Sequence, residues 1–372
     1  MSVDLVVVAG SWCGLPSAVH HLMPYVALDR QILWVDASVL DTGRETSASA
    51  RGGAGGCLDA APFEVISTLP PLPRVRHLAC VTDAEHAVRQ VAAAARRAGI
   101  CRPVLWLAAA AGRRLIGQFD EQAVVYHHLD GVPPGDGDAG AALAECADLI
   151  VTGSRSAAAA FPPGKVRVLA DGVSPELFET PMQPAPALPS GQPVAGFHGR
   201  IDRSFDAALL AGVARRLPHW QFMLIGPVAD DAPTLPDMPN IAVLGPRPHP
   251  ELPRYSQYWT AAMLLRRRPL TDRLPQQLRE YLAAGAPIVG HADGLPHGLR
   301  HLVAAAGGVD AFVAGLEAAL GESREWRKRR RRALQGEVWP ARAAEVAVML
   351  DDLVPPARPL ACGRGRVQQA RL

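Results

Sequence analysis

The stretch from Asp272 to Gly290, DRLPQQLREYLAAGAPIVG, holds the residues whose types and spacing best suit chemistry. Asp272 and Glu280 stand eight positions apart, and Pro275 opens the helix that carries Glu280. Proline in a first helical turn leaves no amide unpaired, and its fixed φ suits the start. The amides of Gln276, Gln277 and Leu278 then become donors at a positive helix end, which suits a diphosphate. Asp272, before the helix, is placed to accept sugar hydroxyls. Glu280, one turn in, is placed to accept both ribose hydroxyls. The same residues equally describe a capped helix with an exposed glutamate.

Other chemistry-bearing residues are scattered. His127 and His128 close a predicted strand; one suits contact with an acceptor or a transferring sugar, the other packing or solvation. Asp130 is the best carboxylate nearby, though a turn cap before Gly131 explains it as well. His198 beside Gly199 is either a phosphate contact or a strand-end residue. His20 and His21 read as cover for the first helix. The run Arg327–Arg332, RKRRRR, fits either docking on anionic lipid headgroups or a solvated helix face.

Several signatures are missing. AGSWCG after the first strand offers only Gly10 and Gly14, so no dinucleotide fingerprint is present. Gly164-Lys165 lacks the earlier glycine and the hydroxyl residue of a P-loop. Neither H-E-x-x-H nor G-x-S-x-G occurs. These absences favour a nucleotide-sugar enzyme over a dehydrogenase or a kinase.

The elements that must position these residues alternate along the chain. Leu5–Ala9 is an unbroken apolar run ending at Gly10, the form of a parallel strand buried on both faces. Leu15–Leu28 follows as a helix and Ile32–Asp36 as the next strand. Further strands are expected at Glu64–Ser67, Arg102–Leu107, Ala123–Tyr126, Leu149–Thr152 and Val166–Leu169, with helices at Ala84–Ala98 and Ala139–Ala147. Residues 181–193, PMQPAPALPSGQP, form a stiff proline-rich linker. The alternation restarts with Val194–Phe197 and runs to Pro287–Gly290. Strands separated by helices predict a doubly wound α/β sheet in each half. Two such halves place a ligand crevice at the carboxyl ends of their strands. Thr42–Gly56 reads as a mobile loop.

Composition sets the outer limits. With 372 residues, 49% hydrophobic and 20% charged, the chain is globular and long enough for two cores. A net charge of +2 gives no sign of a bulk nucleic-acid binder. Only Lys165 and Lys328 are lysines, so arginine carries nearly all the positive charge. Six scattered cysteines without C-x-x-C spacing argue against a zinc ribbon or disulfide scaffold and fit a reducing cytosol. With no signal-peptide pattern and no long apolar run, a soluble cytoplasmic chain is expected.

PVAGFHGRIDRSFDAALLAGVARRLPHWQFMLIGPV, MPNIAVLGPRPHPELPRY and REYLAAGAPIV resemble the donor domain of bacterial GT-B glycosyltransferases of the family-four type. VVYHHLDG, ADLIVTGSRSAAAAF and VRVLADGVSPELF extend the resemblance over roughly residues 120–350. It implies an α/β GT-B fold, two Rossmann-like doubly wound domains facing across a cleft. Residues 1–180 would form the acceptor-side domain, 181–193 the linker and 194–336 the nucleotide-sugar donor domain. Residues 337–354, opened by Trp339, would form a helix crossing back to the first domain, and 355–372 a disordered tail.

The resemblance also implies roles. Asp272 and Glu280 match the family's paired acids, the first shortened to Asp, contacting sugar hydroxyls and ribose respectively. Gly199 matches the glycine that lets backbone approach the sugar phosphates, and Arg200 or Arg203 neutralises the leaving diphosphate. Gly245, Pro246 and Arg247 match the loop lining the base, and Gly10 the loop opening towards the donor. Gln277 stands where relatives carry a lysine. The diphosphate clamp must then be rebuilt from arginines, with Arg266, Arg267 and Arg268 as further candidates.

The implied activity is sugar transfer from a nucleoside diphosphate sugar to a glycan, lipid-linked or small-molecule acceptor. It needs no cofactor or metal and retains the anomeric configuration; an inverting relative would use a carboxylate such as Asp130. An acceptor of the polysaccharide type and the RKRRRR run suggest peripheral contact with an anionic membrane. The rival expectations are a GT-B UDP-sugar 2-epimerase and a catalytically silent nucleotide-binding subunit, the latter motivated by Gln277.

Overall fold

The computed structural model describes residues 3–10, 17–40, 75–78, 87–129, 138–266, 275–291 and 297–354. Its strands form two wholly parallel sheets. The first contains β1 (Leu5–Ala9), β2 (Ile32–Asp36), β3 (Val75–Leu78), β4 (Val104–Leu107), β5 (Ala123–His128), β6 (Leu149–Thr152) and β7 (Val166–Val168). The second contains β8 (Val194–His198), β9 (Gln221–Ile225), β10 (Ile241–Val243), β11 (Ala261–Leu264), β12 (Ile288–Gly290) and β13 (Ala304–Ala305). Their orders are β3-β2-β1-β4-β5-β6-β7 and β10-β9-β8-β11-β12-β13. Both reverse direction next to the sheet's first strand, the Rossmann pattern, so each sheet has one crevice between diverging connections.

The apolar runs explain the layers. β1, β2, β4 and β5 are buried along their whole length, with helices covering both faces. Val7, Trp34 and Trp106 pack one face of the first sheet with Leu22 and Met23 of the helix Ala18–Val26. Val6, Val8 and Leu105 pack the other with Val91 and Leu143. The second sheet is likewise covered on both sides. The final helix, Trp339–Leu353, lays Trp339, Val346 and Leu350 into the first sheet's core. Gly172 allows this, since a Cβ there would lie 2.6 Å from the Trp339 amide nitrogen.

Some expectations shift. The first helix is Ala18–Val26 rather than the longer span the composition suggests, and it retains Pro24. Strand Glu64–Ser67 and the loop Thr42–Gly56 lie outside the described residues. β3, which pairs with β2, was not expected, because VRHL is short and lacks an apolar run. The proline-rich segment is pinned. The Tyr258 hydroxyl donates to the Met182 carbonyl at 2.5 Å, and the Ala185 amide donates to the Arg254 carbonyl at 3.0 Å.

The basic run divides between buried and exposed positions. In the helix Arg324–Arg332, Arg330 is buried, pairs with Glu322 and donates to the carbonyls of Leu302 and Gly285. Arg331 donates to the Ala283 carbonyl. Both cations therefore sit at the carboxyl end of the helix Gln276–Ala284, where its carbonyl dipoles favour positive charge. Arg324, Arg327, Lys328, Arg329 and Arg332 remain exposed.

Candidate functional site

A cavity of about 440 Å³ opens at the carboxyl ends of the second sheet's strands. Gly199 and Arg200 after β8, Gly226 and Pro227 after β9, and Arg266 after β11 line it. Pro246, Arg247 and His249 from the β10 loop complete one wall, and Pro275, Gln276, Gln277 and Glu280 another. Gly199 and Gly226 have φ of +136° and +143°, where side chains are strained. A Cβ on Gly226 would lie 2.0 Å from the Gly199 carbonyl oxygen. The two loops approach this closely only because residue 226 is glycine.

The helix Gln276–Ala284 carries the deepest group. Pro275 is its N-cap rather than its first residue, and Gly285 at φ +77° closes it in the left-handed conformation. The Leu278 amide donates to the Pro275 carbonyl at 3.0 Å, so it is not the free donor expected from sequence, and its side chain is buried in the core. The amides of Gln276 and Gln277 have no partner among the described residues.

Glu280 is 3% exposed, so the reading of it as an exposed residue on a capped helix is corrected. Its Oε1 accepts from His249 Nε2 at 2.8 Å and Gln276 Nε2 at 3.0 Å, while Oε2 faces His198 Nε2 at 3.5 Å. Burial would raise its pKa. The hydrogen bond from His249 and the positive potential of the neighbouring imidazoles overcome this and hold it at about 2. Burial lowers the His198 pKa to about 4 and that of His21 to about 3. Near neutral pH the site therefore contains a buried carboxylate beside two neutral imidazoles.

Gln277 is anchored rather than extended. Its Nε2 donates to the Tyr281 hydroxyl at 2.7 Å, and that oxygen also accepts the His198 amide at 3.0 Å. Burial raises the Tyr281 pKa, keeping the phenol neutral. Asp202 stands across the cavity, its Oδ1 accepting the Ser204 amide at 2.8 Å and hydroxyl at 2.6 Å. Partial burial opposes its ionisation, but these hydrogen bonds and the charges of Arg266 and Arg200 lower its pKa. The cations lining the cavity are Arg200, Arg247 and Arg266, among the described residues.

The structure thus brings together Gly199, Arg200, Arg247, Gln276, Gln277 and Glu280. Gly245, at φ +69°, shapes the adjoining turn by accepting the Gly226 amide. Arg203 does not join them: its side chain is 81% exposed and lies 3.9 Å from Asp231. Gly10, at the end of β1, lies outside the cavity lining, and a Cβ there would meet nothing nearer than 3.9 Å. His128 is buried, with its Nδ1 3.1 Å from the Tyr126 hydroxyl and its ring against Phe161. His127 accepts from the Trp106 indole at 3.2 Å. Asp272, Asp130, Arg267 and Arg268 lie outside the described residues.

Sequence reasoning missed His21, His249 and Asp202. His249 stood in Pro248-His249-Pro250, where the prolines deny the chain regular structure and place the histidine on a short 3-10 turn. His21 read as helix cover because its partners lie in the other half of the chain.

No family model matches the chain. Over 135 residues it is 31% identical to a Bacillus subtilis (strain 168) protein assigned by name to teichuronic acid biosynthesis as a glycosyltransferase, TuaH. That match spans 34% of this chain and 34% of the relative. Among solved structures, HepE of Anabaena, in complex with UDP and glucose, superposes with a TM-score of 0.63 at 13% identity. It covers 94% of this chain and 100% of its own. Sucrose-phosphate synthase of Thermosynechococcus elongatus gives 0.64 at 16% identity, covering 94% and 99%. The fold is GT-B. In a GT-B frame the cavity described above belongs to the C-terminal sheet, at the strand ends around its switch point. Among the described residues no group of His, Cys, Asp and Glu side chains is arranged to hold a metal ion, and no helix is long and apolar enough to cross a membrane.

Proposed function

We propose that the protein is a glycosyltransferase that moves a sugar from a nucleoside diphosphate sugar to a glycan, lipid-linked or small-molecule acceptor. One observation carries this reading. Three arginines, the open start of the helix Gln276–Ala284 and a buried, ionised Glu280 converge on one cavity. That set suits a ligand with a diphosphate at one end and a hydroxyl-rich ring near the carboxylate. HepE, of the same fold, binds UDP-glucose, and the TuaH relative carries a glycosyltransferase name.

In this reading Arg200 and Arg266 take the charge that grows on the leaving diphosphate, a preorganised electrostatic role. The amides of Gln276 and Gln277 add two neutral donors. Glu280 accepts from ribose, the Pro246–Arg247 wall meets the base, and Asp272 contacts the sugar. The reaction is metal-independent and retaining, and acceptors enter from the first sheet. The exposed cations of the helix Arg324–Arg332 hold the enzyme against the inner face of an anionic membrane.

The test is a calorimetric screen of UDP, GDP, ADP and their sugars, followed by turnover with acceptor extracts. Binding with release of nucleoside diphosphate supports the enzyme. Binding without turnover supports the silent-subunit reading, which gains from the anchoring of Gln277 on Tyr281 in place of a free cation. No binding of any nucleotide rules out both.

A further inference from the structure

Glu280 is held by His249, and His249 in turn is packed by a side chain from the other half of the chain. His249, which donates to its Oε1, lies on the 3-10 turn His249–Glu251 that follows β10. The His249 ring is clamped on two sides. Phe178 meets it edge-on, with centroids 5.9 Å apart at 71°. His21, from the first sheet's opening helix, lies 4.6 Å away at 60°. His21 is itself stacked on Trp339, 5.5 Å away and nearly parallel at 14°. Trp339 is buried in the first sheet's core. An unbroken line of side chains, Trp339–His21–His249–Glu280, therefore crosses from one sheet's core to the carboxylate of the other sheet's cavity.

The free valences point the same way. With Oε1 already bound twice, Oε2 is the oxygen with capacity left, and it faces His198 Nε2 at 3.5 Å. Among the described residues that buried nitrogen has no hydrogen-bond partner. A carboxylate can accept about four hydrogen bonds. If His249 were lost, only Gln276 would hold Oε1, and the carboxylate would be free to rotate out of the orientation that His249 fixes.

We infer that His249 is a positioning residue that fixes Glu280 for the donor's ribose, and that His21 holds His249 from the opposite domain. Donor recognition in one domain then depends on packing supplied by the other. His21 acts through its ring face, so an aromatic hydrocarbon can replace it. His249 acts through Nε2, so a glutamine, whose amide reaches a similar point, can replace it in part.

This inference rests on the donor-site reading, and calorimetry separates the two. The probe is the tightest-binding of UDP, GDP and ADP, paired with its 2′-deoxy counterpart. In the parent the ribonucleotide is expected to bind at least tenfold more tightly than the deoxynucleotide. His249→Ala is expected to bring that preference to about twofold, with His249→Gln restoring most of it. His21→Ala is expected to reduce it severalfold, and His21→Phe to leave it as in the parent. A merely structural role would weaken both nucleotides alike. An unchanged preference in His249→Ala overturns the positioning role, and parental behaviour of His21→Ala overturns the cross-domain hold. If His249→Ala fails to fold, the glutamine and His21 variants still decide. A parent that discriminates ribose from deoxyribose less than twofold also refutes the inference while leaving the donor site standing. A parent that binds none of the nucleotides removes the donor site itself.

Discussion

The two sheets share one strand order around their first strands, yet their carboxyl ends differ. At the described end of the first sheet, side chains turn inward: His127 accepts a hydrogen bond from the Trp106 indole N–H, and His128 packs against Tyr126 and Phe161. At the corresponding end of the second, two glycines with positive φ bring loops together, and Arg200, Arg247, Arg266 and Glu280 face open space. The shared frame sets where a ligand is able to sit. The residues on the loops decide which sheet uses the place.

Arginine substitutions test that contrast most severely. Arg200→Ala and Arg266→Ala are each expected to lower kcat/KM by a factor of about 100 to 1,000, roughly 3–4 kcal/mol of transition-state stabilisation. Arg203→Ala, whose side chain points to solvent, should stay close to the parent. Steady-state kinetics with the identified donor reads all three. Equal losses in all three would show that the cavity does not distinguish inner from outer cations.

Acid titration probes the buried histidine at the second site. His198 has its pKa lowered to about 4, so between that value and 6.5 the unfolded chain binds the extra proton. Stability is therefore complete above 6.5 and declines as pH falls towards 4, by on the order of 3 kcal/mol from this residue alone. Glu280 acts in the same direction lower down, between about 4.5 and 2. Thermal melts of the parent and His198→Gln from pH 7 to 4 should show a shallower acid slope in the variant. Parallel slopes would mean that His198 is not buried in its neutral form.

A smaller effect is expected at the carboxylate. Glu280→Gln keeps the shape but loses the charge, and on the proposed reading Glu280 holds ribose in ground and transition state alike. Donor KM is expected to rise about tenfold, about 1.4 kcal/mol, with kcat changing little. A fall in kcat at constant KM would instead place Glu280 at the reacting centre.

The smallest effect is the sharpest contrast with the first sheet. His128→Phe, which preserves the ring packing, is expected to leave the nucleotide Kd within about twofold of the parent by calorimetry. A larger loss would bring the first sheet's buried end into the donor site.

Much of this protein is decided by local order in its sequence. Apolar runs such as LVVVA and QFMLI are strands wherever they lie, because both faces of a parallel sheet must be dry. Pro275 and Gly285 bound the helix that carries Glu280, since one cannot donate and the other takes a left-handed φ. The glycine after β8 marks the loop that approaches a neighbour. Only the tertiary structure decided which polar groups face the cavity. Arg200 and Arg203 are three residues apart on one loop, yet one lines the cavity and the other faces water. The Leu278 amide was claimed by the turn at Pro275, and two arginines of an apparently solvated run are directed to the end of another helix. His21, His198, His249 and Glu280 meet although 259 positions separate the first from the last. Periodicity reports on neighbours within a turn or two. A carboxylate's partners are chosen by the packing of two sheets, and no local pattern records that.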